Sequence, residues 1–298
     1  MEEFDIAVIG AGPGGYVAAI KARHYGKRVV LIEKEYLGGT CLNVGCIPTK
    51  TLIANGEALH AVQRAAEFGI TTGDVSFDYA KMKARKDGVV EANKKGLEGL
   101  LKANGIEIRY GAATFTGPGT LKVVGEQSGE IKTASIIIAT GSTTLDIPAF
   151  PCDGTRVHNS TSILELTKLP SSLAIIGGGY IGCEFASLFA QLGVSITIVE
   201  ALPSIISAQG TQLSQALTKS FEKRGIAIRT GAAVETIEHR ENGISIVLKS
   251  DERIEADMAL VAVGRRICSD NLGLSAIGLP LGEKGTIEVN SKMETEVA

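Results

Sequence analysis

Residues 4–9, Phe-Asp-Ile-Ala-Val-Ile, form a short apolar run that leads directly into Gly10-Ala11-Gly12-Pro13-Gly14-Gly15. The run predicts a buried parallel strand, and the composition of Tyr16 to Tyr25 predicts a helix after the glycines. A second apolar run, Arg28 to Ile32, ends at Glu33. Strand, glycine turn, helix, strand and acid in this order predict a βαβ dinucleotide-binding unit.

Each glycine of this turn has a predicted role. Gly10 permits the tight turn, Gly12 lets the backbone approach a pyrophosphate, and Gly15 lets the helix pack on the strand. The start of the helix offers unpaired N–H groups and the positive end of its dipole to the phosphates. Glu33 can accept hydrogen bonds from ribose hydroxyls.

The same unit recurs in the second half of the chain. An apolar run over 173–176 precedes a second glycine turn, and a helical stretch leads to another apolar run over 194–199 that ends at Glu200. The interval from first glycine to acid is 23 residues in both copies. The glycines of the second turn are Gly177, Gly179 and Gly182. An internal repeat of this kind predicts two nucleotide sites in one chain.

Short β-rich pieces with Gly and Pro turns follow each unit. The predicted strands are 106–110, 112–115, 120–124 and 131–133 after the first unit, and 234–238, 244–248 and 258–263 after the second. The predicted fold class is therefore α/β, with two Rossmann-like three-layer dinucleotide-binding domains that carry β-meander insertions. The proline-containing stretch 143–171 is a plausible crossing between the domains. The predicted boundaries are 1–147 for the first domain and 148–268 for the second, with a return segment over 269–298.

Between the two units lies the segment Gly38 to Lys50, GGTCLNVGCIPTK, which holds Cys41 and Cys46. A disulfide needs Cα atoms within about 7 Å, and an irregular first helical turn can meet that limit. A helix N-terminus also favours the thiolate form of a cysteine. The pair is predicted to be redox-active, and the competing interpretation is two unrelated buried thiols. Lys50, one turn after Cys46, can stabilise nearby negative charge, or it is a solvated surface lysine.

The composition excludes some classes of protein. The chain has 298 residues, 30 basic and 33 acidic side chains and a net charge of −3, which argues against nucleic-acid binding. No apolar run approaches the roughly 18 residues of a membrane span, and the acidic start is unlike a secretory signal, so a cytoplasmic location is predicted. The other cysteines, Cys152, Cys183 and Cys268, are predicted to be ordinary small residues, and no Cys/His spacing indicates a metal site.

The loop from Cys41 to Lys50, the two glycine turns and the segment Ala139-Thr140-Gly141-Ser142 together resemble the class I pyridine nucleotide–disulfide oxidoreductases. Within that family the loop is most similar to the dihydrolipoamide dehydrogenases, because Leu42 follows the first cysteine and Ile47-Pro48-Thr49-Lys50 follows the second. The resemblance covers the whole chain. It is more specific for the family than for the substrate.

The resemblance implies two cofactors, FAD in the domain 1–147 and NAD in the domain 148–268. It implies that Cys41 exchanges with the substrate disulfide and that Cys46 faces the flavin. The residues implied to hold FAD are Gly10, Gly12, Gly15, Glu33, Lys34, Thr40, Lys50, Ala113, Thr140, Gly141 and Ser142. The residues implied to hold NAD are Gly177, Gly179, Gly182, Glu184, Glu200, Val234 and Gly264. Glu184 would also pair with Lys50, and Glu200 would repel the 2′-phosphate of NADP, which favours NAD.

The sequence departs from the family in its length. The resemblance implies a following Gly-Asp pair at the flavin and a C-terminal domain that supplies dimer contacts and a His–Glu base, and the 298 residues contain neither. The expectation is therefore a fragment with weakened FAD binding and no turnover alone. A smaller departure is Ile267, where the family often has proline.

The resemblance also implies partners and leaves alternatives open. The expected partners are the lipoyl domain of a 2-oxoacid dehydrogenase complex or of the glycine cleavage system, and a second copy of the full-length chain. One alternative is a reductase of the same family that acts on another disulfide or on a metal ion with NADH. The other is a truncated nucleotide-binding module without turnover.

Overall fold

The computed structural model describes residues 1–297 and divides the chain into two compact units. The first unit contains Met1–Ile47, Val90–Thr143 and the chain from Arg265 onward, and the second contains Pro48–Val89 and Thr144–Gly264. Both are built from helices packed on sheets.

Within residues 1–297, parallel strands alternate with helices in each half of the chain. The strands are β1 Glu2–Ile9, β2 Val29–Glu33, β3 Glu107–Gly117, β4 Thr120–Gly125, β5 Gly129–Ile138, β6 Ser142–Thr144, β7 Val157–Asn159, β8 Ser172–Ile176, β9 Ser195–Val199, β10 Ala227–Arg229, β11 Val234–Arg240, β12 Gly243–Leu248, β13 Arg253–Ala256, β14 Met258–Val261 and β15 Arg265–Ile267. The α-helices are α1 Pro13–His24, α2 Gly39–Val44, α3 Cys46–Gln63, α4 Tyr79–Ala103, α5 Tyr180–Gln191 and α6 Thr211–Lys223.

The first unit is organised around β1. This strand pairs in parallel with β2, where Val8 lies opposite Leu31, and with β5, where Val8 lies opposite Ile137. β2 extends the parallel sheet to β3, and the antiparallel strands β3, β4 and β5 close it into a barrel. All five residues of β2 are buried, as expected for a parallel strand that is covered on both faces.

The second unit repeats this plan with an open sheet. Its parallel strands lie in the order β10, β9, β8, β14, β7, and Ile175 of β8 lies opposite both Ile198 and Leu260. The meander β11, β12, β13 forms a separate antiparallel sheet. One apolar cluster lies between the parallel sheet and α5, and another lies between the two sheets. The predicted α/β class with dinucleotide-binding folds and meander insertions is confirmed.

The segment 48–89 lies within the predicted first domain, but it packs in the second unit. Leu52 and Leu59 of α3 belong to the same apolar cluster as Phe185 and Phe189 of α5. The hydrophobic pattern of a helix does not show which neighbouring sheet the helix will cover, so this packing could not be predicted from the pattern.

Several strands differ from the sequence prediction. Two strands were expected over 106–110 and 112–115, whereas β3 runs unbroken through Gly111. Gly111 lies opposite Gly125, and a Cβ on Gly125 would lie 2.5 Å from the Cα of Gly111. The two glycines therefore allow the strands to approach closely, and Gly111 does not mark a turn. The crossing 143–171 contains the short strand β7, which pairs with β14.

Candidate functional site

The first glycine turn has no room for side chains at its two structural glycines. Gly10 has φ +100°, and a Cβ there would lie 2.4 Å from the carbonyl oxygen of Ala139. A Cβ on Gly15 would lie 1.8 Å from the carbonyl oxygen of Gly10. Gly12 caps α1 without a side-chain hydrogen bond, and the first turn of α1 carries no acidic residue. Bare N–H groups at a helix start form an anion site, so this turn fits a pyrophosphate.

Glu33 is fixed beside this turn by the backbone. Its Oε2 accepts a hydrogen bond from the N–H of Ala11 at 2.7 Å, and its Oε1 accepts one from the N–H of Glu35 at 2.7 Å. The carboxylate is 8% exposed. Each oxygen keeps a second lone pair, so the carboxylate can still accept a hydrogen bond from a ribose hydroxyl. Lys34, the next predicted residue, is exposed.

The second glycine turn reproduces this geometry. Gly177 has φ +106°, and a Cβ there would lie 2.4 Å from the carbonyl oxygen of Ala262. A Cβ on Gly182 would lie 2.0 Å from the carbonyl oxygen of Gly177. Glu200 accepts hydrogen bonds from the N–H of Gly178 at 2.6 Å and from the N–H of Leu202 at 2.7 Å. The second turn therefore also fits a pyrophosphate and a ribose.

The predicted redox loop folds as two consecutive helices. Cys41 lies in α2, Gly45 interrupts the helical path, and Cys46 is the first residue of α3. A Cβ on Gly45 would lie 2.9 Å from the carbonyl oxygen of Thr40 and 3.4 Å from the Cα of Cys41. Glycine therefore lets the chain turn back toward Cys41 before α3 starts. Cys46 is exposed and Cys41 is partly exposed.

This loop rests on the first glycine turn. Gly39 has φ +58°, and a Cβ there would lie 2.7 Å from the Cα of Gly12. The N–H of Gly38 donates to the carbonyl oxygen of Ala11 at 2.9 Å. The two backbones are therefore in direct contact, which places the loop of Cys41 beside the predicted pyrophosphate site.

Asn43 was missed by the sequence analysis. Its side-chain amide donates to the carbonyl oxygens of Leu37 at 3.0 Å and Gly39 at 2.9 Å. These bonds tie α2 to the chain that enters it. An asparagine between two cysteines was the available signal, since its amide can satisfy helix-end backbone groups.

Lys50 and Glu184, which are both predicted site residues, lie together in the second unit. Lys50 Nζ lies 2.5 Å from Glu184 Oε1, and their side chains are 56% and 36% exposed. An ion pair this exposed contributes only about 0–1 kcal/mol. Packing of the helices that carry it must therefore set its position.

The segment Thr140–Ser142 follows β5 in the first unit, and Gly141 has φ +67°. Arg265 donates to Ser142 Oγ at 2.8 Å and to its carbonyl oxygen at 2.5 Å. The N–H of Cys268 donates to the carbonyl oxygen of Gly141 at 3.0 Å. The guanidinium thus fixes the segment that is predicted to line FAD. Arg265 was not predicted, because its partner lies 123 positions away in the sequence.

The remaining predicted residues occupy defined places. Thr40 is in α2 and Ala113 is buried in β3 of the first unit. Val234 begins β11 of the second unit. Gly264, with φ +144°, accepts a hydrogen bond from the N–H of Leu145 at 3.2 Å.

Two of the other cysteines have the environment of unreactive thiols. Burial raises the pKa of Cys183 to about 12, and its thiol donates to the carbonyl oxygen of Gly178 at 3.4 Å. Burial also raises the pKa of Cys152. A thiol held protonated is a poor nucleophile. Within residues 1–297, no group of three or more His, Cys, Asp or Glu side chains is placed to hold a metal ion, and no helix is long and apolar enough to cross a bilayer.

Residues 4–298 match the family described as pyridine nucleotide-disulphide oxidoreductase. The chain belongs to this family. Its members use FAD and NAD(H), and the two glycine turns described above fit both nucleotides. The predicted family and cofactors are confirmed.

Curated relatives share this architecture over nearly the whole chain. A dihydrolipoyl dehydrogenase of Chlamydia pneumoniae is 44% identical over 296 residues, which cover 99% of this chain and 64% of the relative. A dihydrolipoyl dehydrogenase of Geobacillus stearothermophilus is 40% identical over 299 residues, with 99% and 63% covered. The chain therefore spans about 64% of the length of such relatives.

Solved structures are similar as well. The Cu(II) complex of the HOCl-induced flavoprotein disulfide reductase RclA from Escherichia coli is 31% identical, with a TM-score of 0.86 over 100% of this chain and 64% of that one. LpdA from Mycobacterium tuberculosis has a TM-score of 0.92 at 23% identity, over 100% of this chain and 66% of that one. At that identity the likeness concerns the fold alone.

Proposed function

We propose that the protein oxidises protein-bound dihydrolipoamide with NAD+, as a dihydrolipoyl dehydrogenase. The observation that carries the proposal is the geometry of the Cys41–Cys46 loop. Each cysteine lies in the first turn of a helix, and the loop packs against the first glycine turn. The identity of 40–44% to dihydrolipoyl dehydrogenases supports this substrate.

We assign FAD to the first unit and NAD to the second. The first glycine turn and Glu33 would hold the adenosine and pyrophosphate of FAD, and the segment 140–142 would line it. The second turn and Glu200 would hold NAD, because a carboxylate in that place accepts a ribose 2′-hydroxyl and repels a 2′-phosphate. When bound, FAD and NAD supply the two-electron chemistry that carries the electrons of the reduced thiol pair to NAD+.

The chain's own residues perform the thiol exchange. A substrate thiolate attacks Sγ of Cys41 in the oxidised pair, the Cys41–Cys46 bond breaks, and Cys46 leaves as a thiolate. The second substrate thiol then attacks the mixed disulfide, so the substrate departs as a disulfide and Cys41 becomes a thiolate. The substrate loses two electrons and two protons and the cysteine pair gains them, which yields the dithiol form of the pair.

Serine substitutions test this assignment. In the full-length gene product, Cys41→Ser or Cys46→Ser is expected to lower NADH formation from dihydrolipoamide by at least about a thousandfold, because the variant cannot form the disulfide. The matched control is Cys152→Ser, whose thiol is held protonated by burial. Flavin absorbance checks that each variant is folded. Undiminished turnover in either loop variant would disprove the proposal.

A second candidate is a reductase of another disulfide or of a metal ion. The 31% identity to the flavoprotein disulfide reductase RclA favours keeping it. Turnover numbers for lipoamide, glutathione disulfide and mercuric ion with NADH, measured on one preparation, separate the candidates. A preference for either of the last two of more than about tenfold would replace the first proposal.

We further propose the partners that the substrate requires. A lipoyl domain of a 2-oxoacid dehydrogenase complex or of the glycine cleavage system would present the dithiol, and the full-length protein would act as a homodimer in the cytoplasm. Light scattering of the full-length gene product tests the dimer. NADH formation with isolated lipoyl domains of the two systems identifies the partner.

A further inference from the structure

Helices α3 and α5 run in the same direction through the second unit. Lys50, in the second turn of α3, pairs with Glu184, in the second turn of α5. About two turns further along both helices, Gly56 of α3 faces Gln191 of α5. Because the two contacts come in the same order along both helices, the helices must run in the same direction. The end of α5 that follows the second glycine turn therefore lies beside the end of α3 that carries Lys50.

The contact between Gly56 and Gln191 is tight. Gly56 is buried, and a Cβ there would lie 2.7 Å from Gln191 Oε1 and 3.4 Å from Gln191 Cβ. Gln191 Oε1 is buried and accepts no hydrogen bond within residues 1–297. A side chain at position 56 would have to displace the Gln191 amide, and one larger than a methyl group would also press on Gln191 Cβ.

The ion pair alone cannot set this geometry. Exposed pairs contribute little, and both side chains of the Lys50–Glu184 pair are more than a third exposed. Gln191 Cβ, unlike the Gln191 amide, moves only with α5, so its 3.4 Å approach to the position of a Cβ on residue 56 constrains the separation of the two helices.

We propose that Gly56 and Gln191 form a spacer that fixes the separation of α3 and α5 and thereby positions the Lys50–Glu184 pair. The inference rests on the proposed function and on the cofactor-binding roles that the family resemblance implies for Lys50 and Glu184. Gly56 and Gln191 are positioning residues, because they act through these two side chains.

The test is Gly56→Val in the full-length gene product loaded with FAD. The added side chain must displace Gln191, so the rate at which NADH bleaches the flavin is expected to fall about tenfold, as for small misplacements of reacting groups. NAD+ binding, measured by calorimetry, is expected to weaken severalfold, whereas KM for dihydrolipoamide stays unchanged. Adding Gln191→Ala to Gly56→Val vacates the space and is expected to restore both values.

The matched control is Gly88→Val. Gly88 lies in a helix of the same unit, and a Cβ there meets no atom within 4 Å, so this change has the same helix propensity without the contact. If Gly56→Val slows flavin bleaching no more than Gly88→Val does, or if Gln191→Ala fails to restore it, the spacer is disproved.

A milder variant covers the case in which Gly56→Val does not fold. Gly56→Ala adds one methyl group, and about a threefold slowing that Gln191→Ala reverses supports the spacer. No slowing, or slowing without reversal, disproves it. Flavin bleaching and calorimetry use NADH and NAD+ only, so these two readouts are independent of lipoamide. Failure of the proposed function would instead appear as absent lipoamide turnover in the unsubstituted protein.

Discussion

The two glycine turns of this chain have closely similar internal geometry, but different parts of the chain pack against them. In each turn, the first glycine has φ near +100°, and a Cβ on it would clash with a carbonyl oxygen at the end of the neighbouring strand. An acidic side chain accepts a hydrogen bond from a backbone N–H of the turn. The turns differ at the middle glycine. A Cβ on Gly12 would contact Gly39, whereas a Cβ on Gly179 would meet no atom within 4 Å. The comparison shows that backbone contacts fix both turns in the same way, while the segment that follows the acid packs differently in the two copies.

The largest expected effect is a loss of stability when the tightly packed last glycine of either turn is replaced. Gly15→Ala and Gly182→Ala each place a Cβ about 2 Å from a backbone oxygen, so each should cost on the order of 3–5 kcal/mol of unfolding free energy. Chemical denaturation measures the loss. The control is Gly14→Ala, where a Cβ meets nothing within 4 Å. If one turn tolerated the methyl group, the two turns would not be equivalent.

A second test separates the turns by ligand. Glu33→Gln should weaken FAD binding and Glu200→Gln should weaken NAD+ binding, each by about 1–2 kcal/mol, because a charged acceptor becomes neutral. Calorimetry with each nucleotide checks this. Glu200→Gln should also narrow the preference for NAD+ over NADP+. Weakening of the opposite nucleotide in either variant would reverse the assignment.

A third prediction concerns a helix outside the turns. Gly96 lies exposed within α4, and a Cβ there meets no atom within 4 Å. Gly96→Ala should therefore raise the unfolding free energy by about 0.5–1 kcal/mol, in contrast to the same change at Gly15. A loss of stability in thermal unfolding would reveal a contact that the packing does not show.

The smallest expected effect depends on pH and concerns the second unit. His158 is buried, its ring nitrogens lie 3.2 Å from Ser162 Oγ and from the carbonyl oxygen of Thr155, and burial lowers its pKa. The folded protein therefore favours the neutral ring, so this contribution to stability is complete above the unfolded pKa of about 6.5 and declines as pH falls below it.

His158→Gln removes this titration. Its stability should change less between pH 7 and pH 5 than that of the unsubstituted protein, as measured by urea denaturation at each pH. Equal pH dependence in the two proteins would contradict the prediction.

The sequence predicted the features that depend on local pattern. Both βαβ units, both acids and the cysteine loop follow from glycine spacing and apolar runs, and the structure contains them close to the predicted positions. The Lys50–Glu184 pair came from the family resemblance, since nothing in the spacing of residues 134 positions apart indicates contact.

The features that the sequence did not predict depend on long-range packing. Arg265 contacts Ser142, which lies 123 positions away in the sequence, and the segment 48–89 joins the second unit. Neither of these follows from periodicity, because the partner of each group is chosen by the folded sheet. The uninterrupted strand through Gly111 belongs to the same class, since glycine there resembles a turn signal until its partner Gly125 is known.

The contact of Gly39 with Gly12 has a consequence for the energetics of cofactor capture. Because contacts within the chain itself hold the loop against the nucleotide turn, the ordering entropy of the loop is lost during folding and does not oppose association with the cofactor. The thiols are thus pre-organised, and association should carry the heat-capacity signature of simple surface burial without that of coupled folding.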